Sequence, residues 1–454
     1  MKVLFVNPHY PIDPKTLLLH PPLCYGYLSN CLKKRGHEVV HVDLPFIGNK
    51  AESVLEVLSA FKPDMLGITC VAQSYCQALE IAKLTKERSP QTAICLGGPH
   101  VSFIPEECLK RHPYIDYIIL FDGELSFCEL LDALNSKKPK LGLNTVAGLA
   151  WRSNGSIIIN TPSLPSGSLD NFTPDRSIFD MKAYHKHDYE TVIMTARGCP
   201  GHCAFCSTSK AGRRYRPHGI DYVMQQIHEV LDLGFSSVFF GDDTFVANKI
   251  RVLKICEEIT KQGLDFKWTC NMRAVDATPD VLDGMRRAGA YRVFVGFETI
   301  QPNALEIVGK GVNANVLYNS ARMIKASGLE LHTSFIIGAP GDTNESLEAT
   351  MDFIRLINPT LATFNVIEPR PGTDLYHNPS KYGVHLINPY WYESNEWIQS
   401  PVCYTDNLTT EQIRLWVDRA YREFCSLDFR SQENLQGMNE TIKHLSLCHQ
   451  NTSE

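Results

Sequence analysis

The sequence predicts an α/β protein: a doubly wound parallel domain, then a partial (βα)6 barrel, then a mainly helical C-terminal region. Three observations predict this. Short apolar runs alternate with helical patterns over residues 1–135, and the same rhythm returns from Glu190 to about Tyr376, as parallel sheets with crossover helices require. The intervening stretch is rich in Pro, Ser, Gly and Asn, as in Thr161-Pro162-Ser163-Leu164-Pro165-Ser166-Gly167-Ser168, which is linker composition. Beyond Tyr376 the rhythm stops, giving way to Tyr390-Trp391-Tyr392 and Trp397 and then a helical run. The boundaries expected are 1–140, 141–188 (linker), 189–376 and 377–454.

In the first domain, strands are expected at Lys2–Asn7, Glu38–Asp43, Met65–Cys70, Thr92–Leu96 and Tyr117–Phe121. Helices are expected at Tyr25–Arg35, Ala51–Phe61, Ser74–Glu87, Pro105–Arg111 and Leu125–Leu134. Five strands with helices between them make a Rossmann-like or flavodoxin-like sheet, on which ligands bind beyond the carboxyl ends of the strands. A small hairpin is expected around Gly148–Asn160 within the linker. In the second domain the strands are Thr191–Thr195, Ser237–Phe240, Lys267–Asn271, Tyr291–Phe297, Leu331–Ile337 and Thr363–Val366. Helices fall at Tyr222–Leu233, Ile250–Lys261, Pro279–Ala288, Ala304–Val308, Val316–Ser327 and Asn344–Ile357. Six βα units make an open relative of the eight-unit barrel, with chemistry at the carboxyl ends. The helix Thr410–Leu427 reads as part of a substrate-side cap, and the tail Asn451–Glu454 as frayed.

Composition excludes several classes. With 454 residues there is too much chain for one ordinary core. A net charge of −6 argues against a nucleic-acid surface; the basic run Lys210 to Arg216 suits an anionic cofactor or substrate instead. Fifteen cysteines, an odd number at irregular spacing, argue against a disulfide framework. The opening Met1–Val6 is too short for a signal peptide core, and no window approaches the roughly 18 apolar residues of a membrane helix. A reducing, anaerobic cytoplasm is expected.

The chemistry concentrates at Cys199-Pro200-Gly201-His202-Cys203-Ala204-Phe205-Cys206, a C-x3-C-x2-C loop. Three thiolates on one loop can hold three irons of a [4Fe–4S] cluster and leave the fourth open. The alternative is zinc, with His202 or His218 as a fourth ligand. Charged and glycine-bearing turns follow the later strands: Gly241-Asp242-Asp243, Arg273, Gly296-Phe297-Glu298 and Gly338-Ala339-Pro340-Gly341. Asp242 and Asp243 suit an ammonium partner or a helix cap, and Arg273 a carboxylate or a surface ion pair. Glu298 suits hydroxyls. The first sheet ends in Asn7-Pro8-His9, Thr69-Cys70-Val71-Ala72-Gln73-Ser74, Gly97-Gly98-Pro99-His100 and Phe121-Asp122-Gly123-Glu124.

The segment Met194–Ser207 resembles the cluster loop of radical S-adenosylmethionine (SAM) enzymes. The Gly97–His100 and Asp122–Glu124 turns resemble the cobalamin-binding domain carried by one branch of that superfamily. The similarity runs through most of residues 1–376. It implies a [4Fe–4S] cluster on Cys199, Cys203 and Cys206, and SAM bound to the open iron. SAM contacts are implied at Phe205, Gly241, Asp242, Asp243, Arg273 (carboxylate), Glu298 (ribose) and Gly338 (adenine). Cobalamin contacts are implied at Thr69, Gln73, Ser74, Gly97, Gly98, Pro99, His100, Gly123 and Glu124. No Asp-x-His-x-x-Gly run is present, so a cobalt-ligating histidine of the mutase type is not implied.

The function implied is methylation of an unactivated carbon: a 5′-deoxyadenosyl radical takes a hydrogen, and methylcobalamin supplies the methyl group. The substrate would be a small molecule or peptide, and the one-electron donor flavodoxin or ferredoxin. A non-methylating cyclase or oxidase stays open, as do a methylthiotransferase and a non-catalytic cobalamin or iron–sulfur sensor. Arg273, Glu298 and Gly241–Asp243 together argue against the sensor.

Overall fold

The structure is a computed structural model. It describes all residues except 11–19, 48–51, 136–141, 164–167, 187–189, 209–213, 396–399 and 425–454. Trp397, the start of the basic run at Lys210 and the tail Asn451–Glu454 lie outside the described residues. The chain forms two compact units, Met1–His187 with Tyr392–Asn395, and Asp188–Trp391 with Glu396–Glu454.

The first unit is built on strands β1 (Lys2–Asn7), β2 (Glu38–Asp43), β3 (Met65–Thr69), β4 (Ala93–Gly97) and β5 (Tyr117–Ile119), all parallel in the order β2-β1-β3-β4-β5. Val3 to Val6 of β1 are all buried, as a strand covered on both faces demands. Helices Leu23–Lys34, Tyr75–Arg88 and Glu124–Asn135 follow β1, β3 and β5. The stretch read as a linker departs from that reading. Its hairpin, β6 (Leu149–Ser153) and β7 (Ser156–Ile159), joins the sheet antiparallel at β5. An unpaired β5 would leave a sheet edge open, and the hairpin covers it. Arg152 then donates to the carbonyls of Leu109, His112 and Ile115, which fastens the hairpin to the helix Pro105–Arg111.

The second unit holds β8 (Thr191–Ile193), a short ribbon of β9 (Ala196–Arg197) with β10 (Arg216–Pro217), and β11 (Ser237–Phe240), β12 (Lys267–Met272), β13 (Ala290–Glu298), β14 (Glu330–Ile337) and β15 (Leu361–Val366). Six of these pair in parallel in chain order, β8-β11-β12-β13-β14-β15, the partial barrel expected. Trp268, Cys270, Met272, Val293, Val295 and Phe297 enter the apolar core under the helices. By the two-residue alternation of a strand, Thr269, Asn271, Phe294, Gly296 and Glu298 face the barrel interior.

The C-terminal region also differs from the reading. It contains a two-stranded ribbon, β16 (Val384–Leu386) with β17 (Cys403–Thr405). Its helix Thr410–Phe424 is no substrate-side cap. Ile413 and Ala420 join the outer core, and Tyr421 Oη donates to the Phe364 carbonyl of β15 at 2.9 Å. The helix is the outer helix of the sixth βα unit, because its apolar stripe has the barrel's outer face to cover.

Candidate active site

The cysteine loop leaves β8 and is fixed at several points. Ala204 N–H donates to the Val308 carbonyl at 2.8 Å, and the Ala204 carbonyl accepts from Leu375 N–H at 3.2 Å. Asp243 clasps both ends: Gly198 N–H donates to one oxygen at 2.9 Å and Thr208 Oγ1 to the other at 3.2 Å. Gly201 N–H donates to Cys199 Sγ at 3.3 Å, a bond that favours thiolate. The three cysteines are partly exposed and form no disulfide, and Phe205 is half-buried. Burial raises the Cys199 and Cys203 thiols, while Arg273 acts the other way on Cys199 and Lys310 on Cys203.

Asp242 is displaced from its expected role. Its side chain is buried and accepts from Thr195 N–H (2.6 Å), Ala196 N–H (3.0 Å) and Thr195 Oγ1 (2.5 Å). Burial pushes its carboxyl up to about 6 against those donors and Arg251. It therefore braces the start of the loop and is not presented to an ammonium group. Arg251, which the sequence reading missed, is buried beside it and donates to the carbonyls of Thr195 (2.7 Å) and His218 (3.0 Å).

Arg273 pairs bidentately with the buried Asp276, Nε to Oδ2 at 2.8 Å and Nη2 to Oδ1 at 3.0 Å. Its charge acts on Cys199 and Cys203, so the guanidinium lies on the cysteine side of the barrel mouth. Glu298 ends β13 with φ +69° and accepts from Lys310 Nζ at 3.1 Å. Gly241 is confined by β8, where a Cβ would lie 2.8 Å from Val192 Cγ1. At Gly338, Ile413 fills the space where a side chain would be, 3.0 Å from the Cβ position, so packing on that side already requires the glycine. Asp342 holds that turn through Ala339 N–H at 2.9 Å, and burial raises its carboxyl to about 7. Deeper in the interior His332 lies against Phe294, ring centroids 4.3 Å apart, and burial lowers its pKa to about 4.

The ligand edge of the first unit is built differently. The strand order reverses between β1 and β3, and Tyr25 stands in that crevice. Its hydroxyl donates to the Val6 carbonyl and accepts from Thr69 N–H. Gly98 has φ +96°, and a Cβ there would lie 2.6 Å from Thr69 Oγ1. Ser102 donates to the Gly98 carbonyl at 2.8 Å and accepts from Phe121 N–H at 2.9 Å, joining two of the expected loops. Ser74 is buried and accepts from Val71 N–H at 3.3 Å, and Glu124 is buried in the first turn of its helix. His100 stands apart from the exposed part of that edge. It is buried between the rings of Tyr75 and Tyr392, each 4.6 Å away, because the domain's own aromatic cluster offers it packing. Gln73, Gly97 and Gly123 are partly exposed and Pro99 exposed. A Cβ at Gly97 would meet nothing nearer than 3.8 Å, and one at Gly123 nothing nearer than 3.4 Å.

Residues 193–354 match the family model of the radical SAM superfamily, and residues 15–131 that of the B12 binding domain. An uncharacterised methyltransferase of Pyrococcus horikoshii is 31% identical over 436 residues, covering 93% of this chain and 92% of that protein. An anaerobic magnesium-protoporphyrin IX monomethyl ester cyclase of Rubrivivax gelatinosus is 29% identical over 387 residues, 83% of this chain and 69% of that one. The chain belongs to the cobalamin-binding radical SAM enzymes. Their fold is matched by the solved cobalamin-dependent SAM radical enzyme OxsB, with TM-score 0.77 at 19% identity over 99% of this chain and 71% of that one.

As a member of this family the enzyme takes a [4Fe–4S] cluster, SAM and cobalamin. The residues fit. Each of three irons of a cluster takes one thiolate, and three thiols stand on one short loop. Thiols set along a loop suit the separate corners of a cluster. The cations Arg273 and Lys310 acting on Cys199 and Cys203 offset the negative charge that thiolates bring. At the first sheet, the room at Gly97 and Gly123 suits a bulky planar ligand. No helix among the described residues is long and apolar enough to cross a membrane.

Lys310, Arg251, Asp276, Asp342, Tyr25 and Ser102 were missed by sequence reasoning. Only Lys310 carried a signal, standing between Gly309 and Gly311 in an otherwise helical stretch.

Proposed function

We propose that this enzyme methylates an unactivated carbon of a small-molecule or peptide substrate. The observation that carries the reading is the set of three loop cysteines with Arg273 and the Glu298–Lys310 pair at the carboxyl ends of the barrel strands. When bound, the cofactors supply a 5′-deoxyadenosyl radical from SAM and a methyl group carried by cobalamin. The protein's part is to hold and orient. Arg273, already braced by Asp276, is placed to take the SAM carboxylate through charge-assisted bonds. Glu298 is placed for ribose hydroxyls. Thr269, Asn271, Phe294 and His332 line the interior with neutral hydrogen-bonding and aromatic groups, which suits an uncharged substrate face.

Methyl transfer is favoured by the relative that covers 93% of the chain; the cyclase relative supports a non-methylating second reading. Turnover with labelled SAM separates them. Methylation consumes two SAM molecules, so 5′-deoxyadenosine and S-adenosylhomocysteine should form one to one, with the label in product. Formation of 5′-deoxyadenosine without S-adenosylhomocysteine would favour the cyclase reading. A cytoplasmic location and flavodoxin or ferredoxin as electron donor belong to the same proposal.

A further inference from the structure

The loop after β13 carries a buried ion pair that neither SAM binding nor folding alone explains. Lys310 Nζ and Glu298 Oε1 are 3.1 Å apart, with side chains only 14% and 13% exposed. Burying two charges costs desolvation that their mutual attraction often fails to repay, so such a pair is weak evidence of a purely stabilising role. Three backbone features hold it in place. The β13–β14 register shifts between Gly296 and Glu298, and Glu298 takes φ +69°, a strained conformation for a side-chain-bearing residue. Gly296 lacks a Cβ in the space that the Glu298 carboxylate occupies, with Lys310 Nζ 3.4 Å from the same position. Any side chain at Gly296 would expel the carboxylate.

The lysine is also tied to the cysteine loop. Ala204, between Cys203 and Phe205, donates to the Val308 carbonyl at 2.8 Å. Gly309 has φ +65°, and its Cβ position is 3.4 Å from the His202 carbonyl oxygen. One segment, Val308–Lys310, thus touches the loop that carries the cluster ligands and the carboxylate placed for ribose.

We propose that Lys310 is a positioning residue with two effects: it holds Glu298 in the orientation that receives SAM, and its charge raises the reduction potential of the cluster. This rests on the cluster and SAM assignment above. An added electron makes the site more negative, so a nearby fixed cation favours reduction and a nearby anion opposes it. The pair therefore sets a balance, with Lys310 favouring reduction and Glu298 opposing it.

The test uses the reconstituted full-length enzyme and its Lys310→Met, Lys310→Arg and Glu298→Gln variants. Cluster potential is read by dye-mediated redox titration with electron paramagnetic resonance, and SAM affinity by equilibrium binding without turnover. Lys310→Met should lower the reduced-to-oxidised ratio at fixed potential about tenfold, about 59 mV for one electron, and weaken SAM binding at least tenfold. Lys310→Arg should keep the potential within about threefold of wild type in that ratio. Glu298→Gln should weaken SAM binding but move the potential upward. A merely structural pair would not give opposite shifts in potential with the same loss of affinity. If Lys310→Met fails to take up iron, Lys310→Arg and Glu298→Gln carry the test. An unchanged potential in Glu298→Gln, or shifts of the same sign in both neutralising variants, would overturn the proposal. A wild-type protein that holds no cluster or binds no SAM would instead overturn the enzyme reading.

Discussion

Both units present the carboxyl ends of parallel strands, yet the two edges are made of different material. The barrel edge in the second unit offers charge: Arg273, Asp243, Glu298 and Lys310, each held by a named partner, and three thiols, of which Cys199 accepts from Gly201 N–H. The sheet edge in the first unit offers room. Its polar groups are largely spent on the protein itself, with Tyr25 bridging β1 and β3, Ser102 joining two loops and His100 packed among aromatic rings. The difference teaches that a small charged ligand and a metal cluster are recognised by particular side chains, whereas a large planar cofactor needs backbone that can be approached. Substitutions should therefore act by chemistry at one edge and by volume at the other.

The largest effect tests the chemical edge. Cys199→Ala, Cys203→Ala or Cys206→Ala should each abolish the cluster, which in the wild-type protein should amount to about four irons per chain after anaerobic reconstitution, and with it all SAM cleavage. A full iron complement in Cys199→Ala would show that the ligands lie elsewhere. Next in size, Arg273→Ala should weaken SAM binding by well over tenfold, the removal of one charged partner costing about 2–5 kcal/mol, while iron content stays intact. It also strands the buried Asp276, at a stability cost of about 1–3 kcal/mol. Arg273→Lys should recover most of the melting temperature and little of the SAM affinity, since an ammonium cannot replace the bidentate fork. Equal recovery of both would reduce Arg273 to a structural ion pair.

The volume edge is tested by two adjacent glycines that should fail in different ways. Gly98→Val forces a side chain against Thr69 Oγ1 and into a strained φ, which alone costs about 1–3 kcal/mol, so the whole unit should melt earlier. Gly97→Val has space in the protein; it should fold normally and lose the otherwise one-to-one uptake of cobalamin, read from the absorbance spectrum. That spectrum in the wild type should show no histidine ligand to cobalt. Normal cobalamin uptake by Gly97→Val would move the ligand edge away from β4.

The smallest effect concerns the buried braces. Burial raises Asp242 to about 6 and Asp342 to about 7, above their unfolded values. The folded state then binds more protons than the unfolded one between about pH 4 and 7, so these groups make stability fall as pH rises through that window, by at most about 1.4 kcal/mol per pH unit for each. Asp342→Asn should flatten this slope in a melting series on the cluster-free protein. A slope unchanged by the substitution would mean the carboxyl titrates normally.

The sequence by itself determined the parallel strands, the helices between them and the cysteine loop. Apolar runs long enough for a covered strand, helical stripes between them and closely spaced thiols are local signals, fixed by periodicity and by the reach of a short loop. The strand readings at Lys2–Asn7, Glu38–Asp43 and Ser237–Phe240 coincide with β1, β2 and β11 for that reason. Tertiary structure alone decided what each polar residue spends itself on. Asp242 accepts from Thr195 and Ala196 and Asp243 from Gly198 and Thr208, though they are adjacent and identical, because each meets whatever donors the folded loop brings to it. The Gly148–Asn160 hairpin became sheet and the helix Thr410–Phe424 became the barrel's sixth outer helix, since an open edge and an uncovered face are visible only once the strands are assembled. Lys310 shows the same limit: its partner lies 12 residues away, the loop residue that nearby Val308 binds lies more than 100 residues away, and no local pattern encodes a pairing that the fold itself creates.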